Sequence, residues 1–208
     1  KTTMRAIFQY KKSGDPYSSV TNSMSAGNGC IMRLAPVPLF YADDPLKAIE
    51  MSGESSRTTH GLQVTINACK YFGGLIWGAL NEVSKEELLS ANYSPINGYW
   101  DEHQMETDLS LVSLGSFKEK NPPEIIGSGY VVESLEAALW AFYNSDNFED
   151  GVLKAVNLGN DADTTGAIYG QLAGAYYGLE SISDRFKNNI ARKELILSYA
   201  EGLHDKKY

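Results

Sequence analysis

The sequence has 208 residues, of which 43% are hydrophobic and 21% are charged, as is ordinary for a globular protein with one sizeable core. Its net charge is −8, and its basic residues form no block longer than pairs such as Lys11-Lys12, so a groove for nucleic acid is not expected. No apolar run reaches the roughly 18 residues of a membrane helix, and the first residues do not resemble a signal peptide. We therefore expect a cytoplasmic protein without a membrane partner.

The first half of the chain begins with mixed residues and a turn signal at Gly14, and residues 21–33, rich in Ser, Gly and Asn, predict a loop. Asp44 followed by Pro45 predicts a helix start, with the helix running to about Arg57. A longer helix is predicted next, because apolar residues recur at three- and four-residue steps. They are Leu62, Ile66, Cys69, Phe72, Ile76 and Leu80. Cys69, like Cys30, is expected to be a buried thiol.

The second half of the chain carries shorter patterns. Ser84 and Glu87 predict a capped short helix, and residues 92–129 are less regular. Helical spacing resumes over residues 132–142 and 148–156, then from Asp163 to Tyr177, before a polar amphipathic tail. The fold class is therefore all-α, a compact orthogonal helical bundle, because no strand pattern is present and the apolar spacing never settles into heptads.

The segment from Leu158 to Ala167 carries the most chemistry. Asp161 and Asp163 lie two residues apart at a predicted helix start, followed by the hydroxyl of Thr164. Oxygen donors of this kind bind hard divalent cations. The alternative, from spacing alone, is that Asp163 is an ordinary N-cap and Asp161 a solvated loop residue. The glycines and alanines of the helix that follows suggest that other helices pack very close to it.

Three further segments are candidate ligand contacts. In Ser25-Ala26-Gly27-Asn28-Gly29, the glycines allow close approach of the backbone to a diphosphate; the alternative is a plain turn. Arg33 follows as a candidate buried ion-pair partner. His60 lies between two helices, where a cap or a core role is the alternative. Gly127, Gly129 and Tyr130 are consistent with the wall of a nucleoside pocket or with an ordinary loop.

In order along the chain, these segments resemble the ADP-ribosylglycohydrolase family. The matching motifs are S-A-G-N-G-x-x-M-R-x-A-P, then S-x-x-x-T-H, then G-x-G-Y-V-x-E-x-L-x-A-A-L-W-A-F, then A-V-N-L-G-N-D-A-D-T-x-G-A-x-x-G-x-L-A-G-A-x-Y-G. Each motif is weak alone, but the four in order, over residues 5 to 180, are a specific signal.

The resemblance implies an all-helical hydrolase that holds two Mg²⁺ or Mn²⁺ ions and cleaves ADP-ribose from an acceptor. Metal ligands would be Asp161, Asp163 and Thr164. The implied ligand-binding residues, for ADP-ribose or an ADP-ribosylated substrate, are Ser25, Gly27, Asn28, Gly29, Met32, His60, Gly127, Gly129 and Tyr130.

One departure from the family pattern is large. Family members usually carry a G-D-A-x-G segment and a T-D-D-T segment upstream, which supply the other metal ligands and the acid/base groups, and residues 1–208 contain neither. We therefore expect a single domain that lacks the family's N-terminal third, with the catalytic acid and base unassigned. That third could act as a separate partner chain. The alternatives are a non-catalytic ADP-ribose-binding or structural homologue, and a metal-dependent hydrolase of another substrate class.

Overall fold

A computed structural model describes residues 2–17 and 26–206. Within these ranges the chain forms helices and short 3-10 turns and no β-strand, which confirms the predicted all-α class. The α-helices are α1 (Thr2–Ser13), α2 (Pro36–Phe40), α3 (Pro45–Arg57), α4 (Gln63–Leu80), α5 (Lys85–Leu88), α6 (Tyr99–Glu102), α7 (Thr107–Ser113), α8 (Val131–Tyr143), α9 (Phe148–Asn157), α10 (Ala162–Tyr177), α11 (Asp184–Lys187) and α12 (Lys193–His204).

Side-chain caps explain where several of these helices begin. The Asp44 carboxylate accepts a hydrogen bond from the first turn of α3, and Pro45 occupies the first helical position, as predicted. The Ser84 hydroxyl caps α5 in the same way, also as predicted, and Asn147 caps α9. Each cap satisfies an N–H group that the first turn of a helix leaves without an intrahelical partner.

The pair α3 and α4 forms one close-packed layer of the core. Cys69, Phe72 and Ile76, from the predicted apolar face of α4, are buried, and burying each large side chain stabilises the fold by about 1.5–3 kcal/mol. The two helices approach so closely at Gly73 that a Cβ atom there would lie 2.2 Å from Ser52 Oγ on α3. Both cysteines are free and fully buried, which confirms that expectation.

Helix α10 lies centrally, in contact with α4, α8 and α9. Its Tyr169 is fully buried, and the hydroxyl donates to backbone carbonyls at the start of α9. The expectation that its small residues mark close packing throughout is only partly right. A Cβ at Gly166 would lie 2.9 Å from Val156, whereas Gly170 and Gly174 have nothing within 4 Å of that position. Their side of α10 is open in the described part of the chain.

The less regular region is more helical than the sequence suggested. Helices α6 and α7 lie within residues 92–129, and α7 was missed because its seven residues bury only Leu109, Val112 and Ser113. The predicted amphipathic tail contains α11 and α12. Among the helices described, none has the length and apolarity to cross a membrane.

Candidate functional site

Two of the predicted ligand loops lie side by side. Asn28 N donates to Gly129 O at 3.2 Å, next to an antiparallel bridge between Gly27 and Tyr130. Beyond the bridge, the first N–H of α8 donates to Ala26 O at 3.0 Å. The loop around residues 26–29 is therefore attached to the start of α8, from which about a hundred residues of sequence separate it.

Asp161 lies where the D-A-D-T segment meets these two loops. Its backbone N donates to Gly127 O at 2.9 Å, and its carboxylate Oδ2 accepts from Asn28 Nδ2 at 2.7 Å. Gly159 and Asn160, both with positive φ angles of 75° and 53°, make the tight turn that leads into Asp161. Asp161 is the N-cap residue of α10, yet its side chain makes no capping hydrogen bond. The carboxylate is thus directed to the loops and not to its own helix.

Asp163 and Thr164 occupy the first turn of α10. The alternative in which Asp163 is the N-cap is wrong, because Asp161 holds that position. The Asp163 side chain is exposed, whereas Thr164 is buried and its hydroxyl lies 3.7 Å from Met32 Sδ. Met32 therefore lies beside Thr164, one of the predicted metal ligands.

The oxygen donors at this helix end are of the right kind for a hard cation but too few. Asp161 Oδ1 and the Asp163 carboxylate accept no hydrogen bond from any described residue. Residues 2–17 and 26–206 contain no group of three His, Cys, Asp or Glu side chains that could hold a metal ion. Two carboxylates and a hydroxyl are too few to complete the ligand shell of a cation by themselves, so the assignment of Asp161, Asp163 and Thr164 as metal ligands stays a prediction.

Asn28 is held in place by more than the Asp161 carboxylate. Its amide nitrogen also lies 2.9 Å from Ser134 Oγ and 3.1 Å from Ser128 O, and its side chain is buried. Ser134, on the buried face of α8, was missed by the sequence reasoning. A hydroxyl at a core-facing position of a mostly apolar helix was the available signal.

His60 lies beneath the loop of residues 26–29. The ring is 2% exposed, and Nδ1 lies 2.8 Å from Thr59 Oγ1. A Cβ atom at Gly29 would lie 3.0 Å from His60 Cε1, and one at Gly27 would lie 3.5 Å from Nε2. Burial, and then the positive charge of Arg33, lower the pKa of His60 to about 4. The imidazole is therefore neutral at neutral pH and supports the loop from below.

Arg33 does not have the buried ion-pair role considered for it. Its guanidinium is exposed and donates to the Thr59 hydroxyl at 2.8 Å, with longer contacts to the hydroxyl of Thr58 and the carbonyl of Ser55. Arg33 thus ties the 3-10 turn Ile31–Arg33, which follows the loop of residues 26–29, to the end of α3.

In the second predicted ligand loop, residues 127–130, two hydroxyl groups donate hydrogen bonds to carboxylates. The Tyr130 hydroxyl donates to Asp108, and the Ser128 hydroxyl donates to Glu133. Burial and the bond to Asp108 raise the pKa of Tyr130 well above its usual value, so the phenol stays protonated. Asp108 was not anticipated, since nothing in its spacing distinguishes it from a surface charge, and Glu133, although part of the motif that begins at Gly127, was not assigned a role.

The glycines of this loop have different roles. A Cβ at Gly127 would lie 2.5 Å from Thr165 Oγ1, so only glycine lets the loop pack on α10. Gly129 is exposed, with nothing within 4 Å of such a Cβ. Ser25, the remaining predicted ligand residue, lies outside the described residues.

A cavity of about 660 Å³ lies behind the second loop. Its wall includes Ile126 and Asn160, the immediate neighbours of Gly127 and Asp161, together with Trp140. None of the predicted ligand residues lines it. The cavity is therefore not formed by the predicted ligand residues.

Comparison with known proteins gives consistent results. The sequence model of a family described as ADP-ribosylglycohydrolase matches residues 1–208. An ADP-ribosylarginine hydrolase, Tri1, of Serratia proteamaculans (strain 568) is 35% identical over 202 residues, covering 97% of this chain and 53% of that protein. An ADP-ribosyl-[dinitrogen reductase] glycohydrolase of Rhodospirillum rubrum is 28% identical over 195 residues, covering 92% of this chain and 60% of that protein.

A solved structure described as an ADP-ribosylglycohydrolase-related protein complex has the same fold. It superposes with a TM-score of 0.87 at 38% identity, covering 100% of this chain and 69% of that one. The chain spans about half the length of the curated relatives it matches, from 53% to 60% in these two cases.

Proposed function

The chain belongs to the ADP-ribosylglycohydrolase family, and from this premise we propose that the protein is a metal-dependent hydrolase that cleaves ADP-ribose from an acceptor. The observation that carries the proposal is the meeting of distant segments around one carboxylate. Asp161 contacts the loop of Asn28 through its side chain and the loop of Gly127 through its backbone, and His60 lies beneath the first loop.

Asp161, Asp163 and Thr164 would hold the cation. Carboxylate and hydroxyl oxygens are the donors that Mg²⁺ and Mn²⁺ prefer, and two ions are expected in the intact site. When bound, such a cation polarises a substrate oxygen or lowers the pKa of a water molecule. The positive end of the α10 dipole disfavours a cation, so we expect further ligands besides Asp161, Asp163 and Thr164, and the described residues contain no group of three His, Cys, Asp or Glu side chains that would supply them.

The two loops would bind the ADP-ribosyl group. The backbone N–H groups of Gly27 and Gly29 donate no hydrogen bond to any described residue, and in this proposal they donate to a phosphate or a ribose hydroxyl of the ligand. Below them, neutral His60 adds no charge and offers hydrogen-bonding capacity at Nε2. Protonated Tyr130, at the far edge, would border the adenosine. The chain is acidic, so backbone donors and the cation together would attract the diphosphate.

We favour arginine as the acceptor, which makes the cleaved bond N-glycosidic. The support is the 35% identity with a relative whose name specifies ADP-ribosylarginine. A serine-linked substrate, with an O-glycosidic bond, and a free ADP-ribosyl metabolite are the competing substrates. The acid and base of the reaction are not among the residues assigned here, and we expect them outside the described part of the chain.

A non-catalytic ADP-ribose-binding homologue is the second candidate. The observation that favours it is the small number of ligating side chains at Asp161, since a binding protein can dispense with a complete metal shell. It predicts that ADP-ribose binds equally well with and without Mg²⁺ and that no acceptor is released.

The test is hydrolysis of arginine-linked and serine-linked ADP-ribosyl peptides by the full-length protein, with Mg²⁺ or with a chelator. We expect metal-dependent release of the arginine peptide. Asp161→Ala and Asp163→Ala should each lower turnover at limiting Mg²⁺ at least roughly a hundredfold, because a carboxylate ligand is lost. Asp184→Ala, at an exposed carboxylate on α11, is the matched control and should behave as wild type. Near-native turnover by either site variant would refute the ligand assignment, and binding without hydrolysis would favour the second candidate.

A further inference from the structure

Ser134 has no place in the function proposed above, yet it contacts the residue that holds Asp161. It lies on α8, it is completely buried, and its Oγ lies 2.9 Å from Asn28 Nδ2. The same oxygen lies 2.5 Å from Ser128 O and 2.9 Å from Tyr130 O. A serine hydroxyl has one hydrogen and two lone pairs, so the proton goes to a carbonyl and a lone pair is left for Asn28.

This arrangement decides which way the Asn28 amide points. Asn28 Nδ2 has two hydrogens and lies near three acceptors: Asp161 Oδ2 at 2.7 Å, Ser134 Oγ at 2.9 Å and Ser128 O at 3.1 Å. If the amide were turned over, its carbonyl oxygen would face a carboxylate, a backbone carbonyl and the lone pairs of Ser134. The amino group must therefore face this cluster, and one of its hydrogens points at Asp161.

The result is a polarised chain that runs from the second loop to the D-A-D-T segment. The Ser134 hydroxyl donates to one loop carbonyl, Asn28 donates one amide hydrogen to Ser134, and Asn28 donates the other to the Asp161 carboxylate. Because Ser134 and Asn28 are buried, each of these bonds is stronger than it would be in water. The bond to Asp161 is charge-assisted, and it leaves Oδ1 without a partner among the described residues.

We propose that Ser134 is a positioning residue, which acts through Asn28 to hold the Asp161 carboxylate in the orientation that binds the cation. The inference rests on the proposed function, because it assumes that Asp161 is a metal ligand. It also reassigns Asn28, which the sequence suggested as a direct ligand contact, to a supporting role behind Asp161. Residues that orient a metal ligand typically change metal affinity by 10- to 100-fold when they are mutated.

The test is Mn²⁺ binding to the full-length protein, measured by titration calorimetry without substrate, alongside a melting curve. We expect Ser134→Ala to weaken Mn²⁺ binding about tenfold. Ser134→Thr, which keeps a hydroxyl, should recover most of that loss. Ser52→Ala is the matched control, because Ser52 is equally buried and its hydroxyl bonds only within α3, to Ala48 O. This control should leave Mn²⁺ affinity unchanged.

A double-mutant cycle separates positioning from a general loss of stability. If Ser134 acts through Asn28, adding Ser134→Ala to Asn28→Ala should change Mn²⁺ affinity by less than about twofold. The inference would be overturned if the effects of Ser134→Ala and Asn28→Ala on Mn²⁺ affinity multiplied in the double mutant. It would also be overturned if the Ser134→Ala protein bound Mn²⁺ as tightly as the wild type. Either result would leave the metal assignment of Asp161 intact. If the wild-type protein itself binds no Mn²⁺, the metal assignment fails and the positioning role fails with it.

Discussion

At the scale of single residues, burial determines what His60 can do. Its ring is enclosed beneath the loop of Gly27 and Gly29, and the nearby guanidinium of Arg33 adds an unfavourable positive charge. Both effects disfavour the imidazolium, so the pKa falls to about 4. A charged His60 would have to be desolvated within the loop that we assign to the ADP-ribosyl group. The folded state therefore resists protonation of this side chain.

This depressed pKa predicts a pH dependence of stability. Between pH 6.5 and 5 the unfolded chain binds a proton at His60 and the folded protein does not, so stability falls as the pH falls through this window. The expected loss is about 1.5 kcal/mol for this one group. His60→Gln should remove it, as measured by chemical denaturation at both pH values.

The pH window from 6.5 to 5 lies above the pH range in which paired carboxylates such as Asp44, whose pKa is lowered, lose their contribution to folding stability. His103→Gln, at an exposed histidine on the end of α6, is the control and should retain the wild-type slope. An unchanged slope in His60→Gln would show that another group carries the pH dependence.

At the scale of elements, two glycines in helix interiors differ in whether packing requires them. In α4, Gly73 is required by contact, because its missing side chain makes room for Ser52 of α3. In α10, Gly170 has no neighbour near its Cβ position, so it lowers helix propensity without any packing benefit within the described residues. An added methyl group should therefore lower the stability of the fold at Gly73 and raise it at Gly170.

This difference can be tested by a pair of identical substitutions. Gly73→Ala should destabilise the protein by about 1–3 kcal/mol, because the methyl group would overlap Ser52 Oγ and Cβ. Gly170→Ala should instead stabilise residues 1–208 by up to about 1 kcal/mol through helix propensity. Urea denaturation of the two variants is the measurement. A stable Gly73→Ala protein would mean that α3 and α4 separate easily.

At the scale of the whole molecule, exposed apolar side chains of the described residues are grouped on α1. Helix α1 buries only Ala6, while Met4, Ile7 and Phe8 are more than 40% exposed. Exposed apolar side chains grouped in this way mark a surface on which another segment or chain packs, and we expect such a partner on α1.

The same reasoning predicts how the chain behaves alone. Residues 1–208 hold two carboxylates and a hydroxyl of the proposed metal site, and we expect the acid and base elsewhere. The isolated chain should therefore hydrolyse ADP-ribosyl-arginine peptide at least roughly a hundredfold more slowly than the full-length protein. It should also bind a hydrophobic dye more strongly. Turnover by residues 1–208 equal to that of the full-length protein would show that all essential groups are present in this chain.

Much of this protein could be predicted from its sequence, because the responsible interactions are local. The caps at Asp44 and Ser84 act within one helical turn, and the apolar spacing from Cys69 to Ile76 determines which face of α4 is buried. The order of four motifs was enough to identify the family. Short α7 was missed because only two apolar residues mark its buried face.

Tertiary structure alone decided how the site is built. Asn28 and Ser134 lie 106 residues apart and Asn28 and Asp161 lie 133 apart, so no local pattern could reveal that they share a hydrogen-bonded chain. The neutral state of His60 likewise depends on burial by a loop from another part of the sequence. A sequence lists which donors and acceptors are available, but the direction of each hydrogen bond depends on which groups folding brings within about 3 Å of each other.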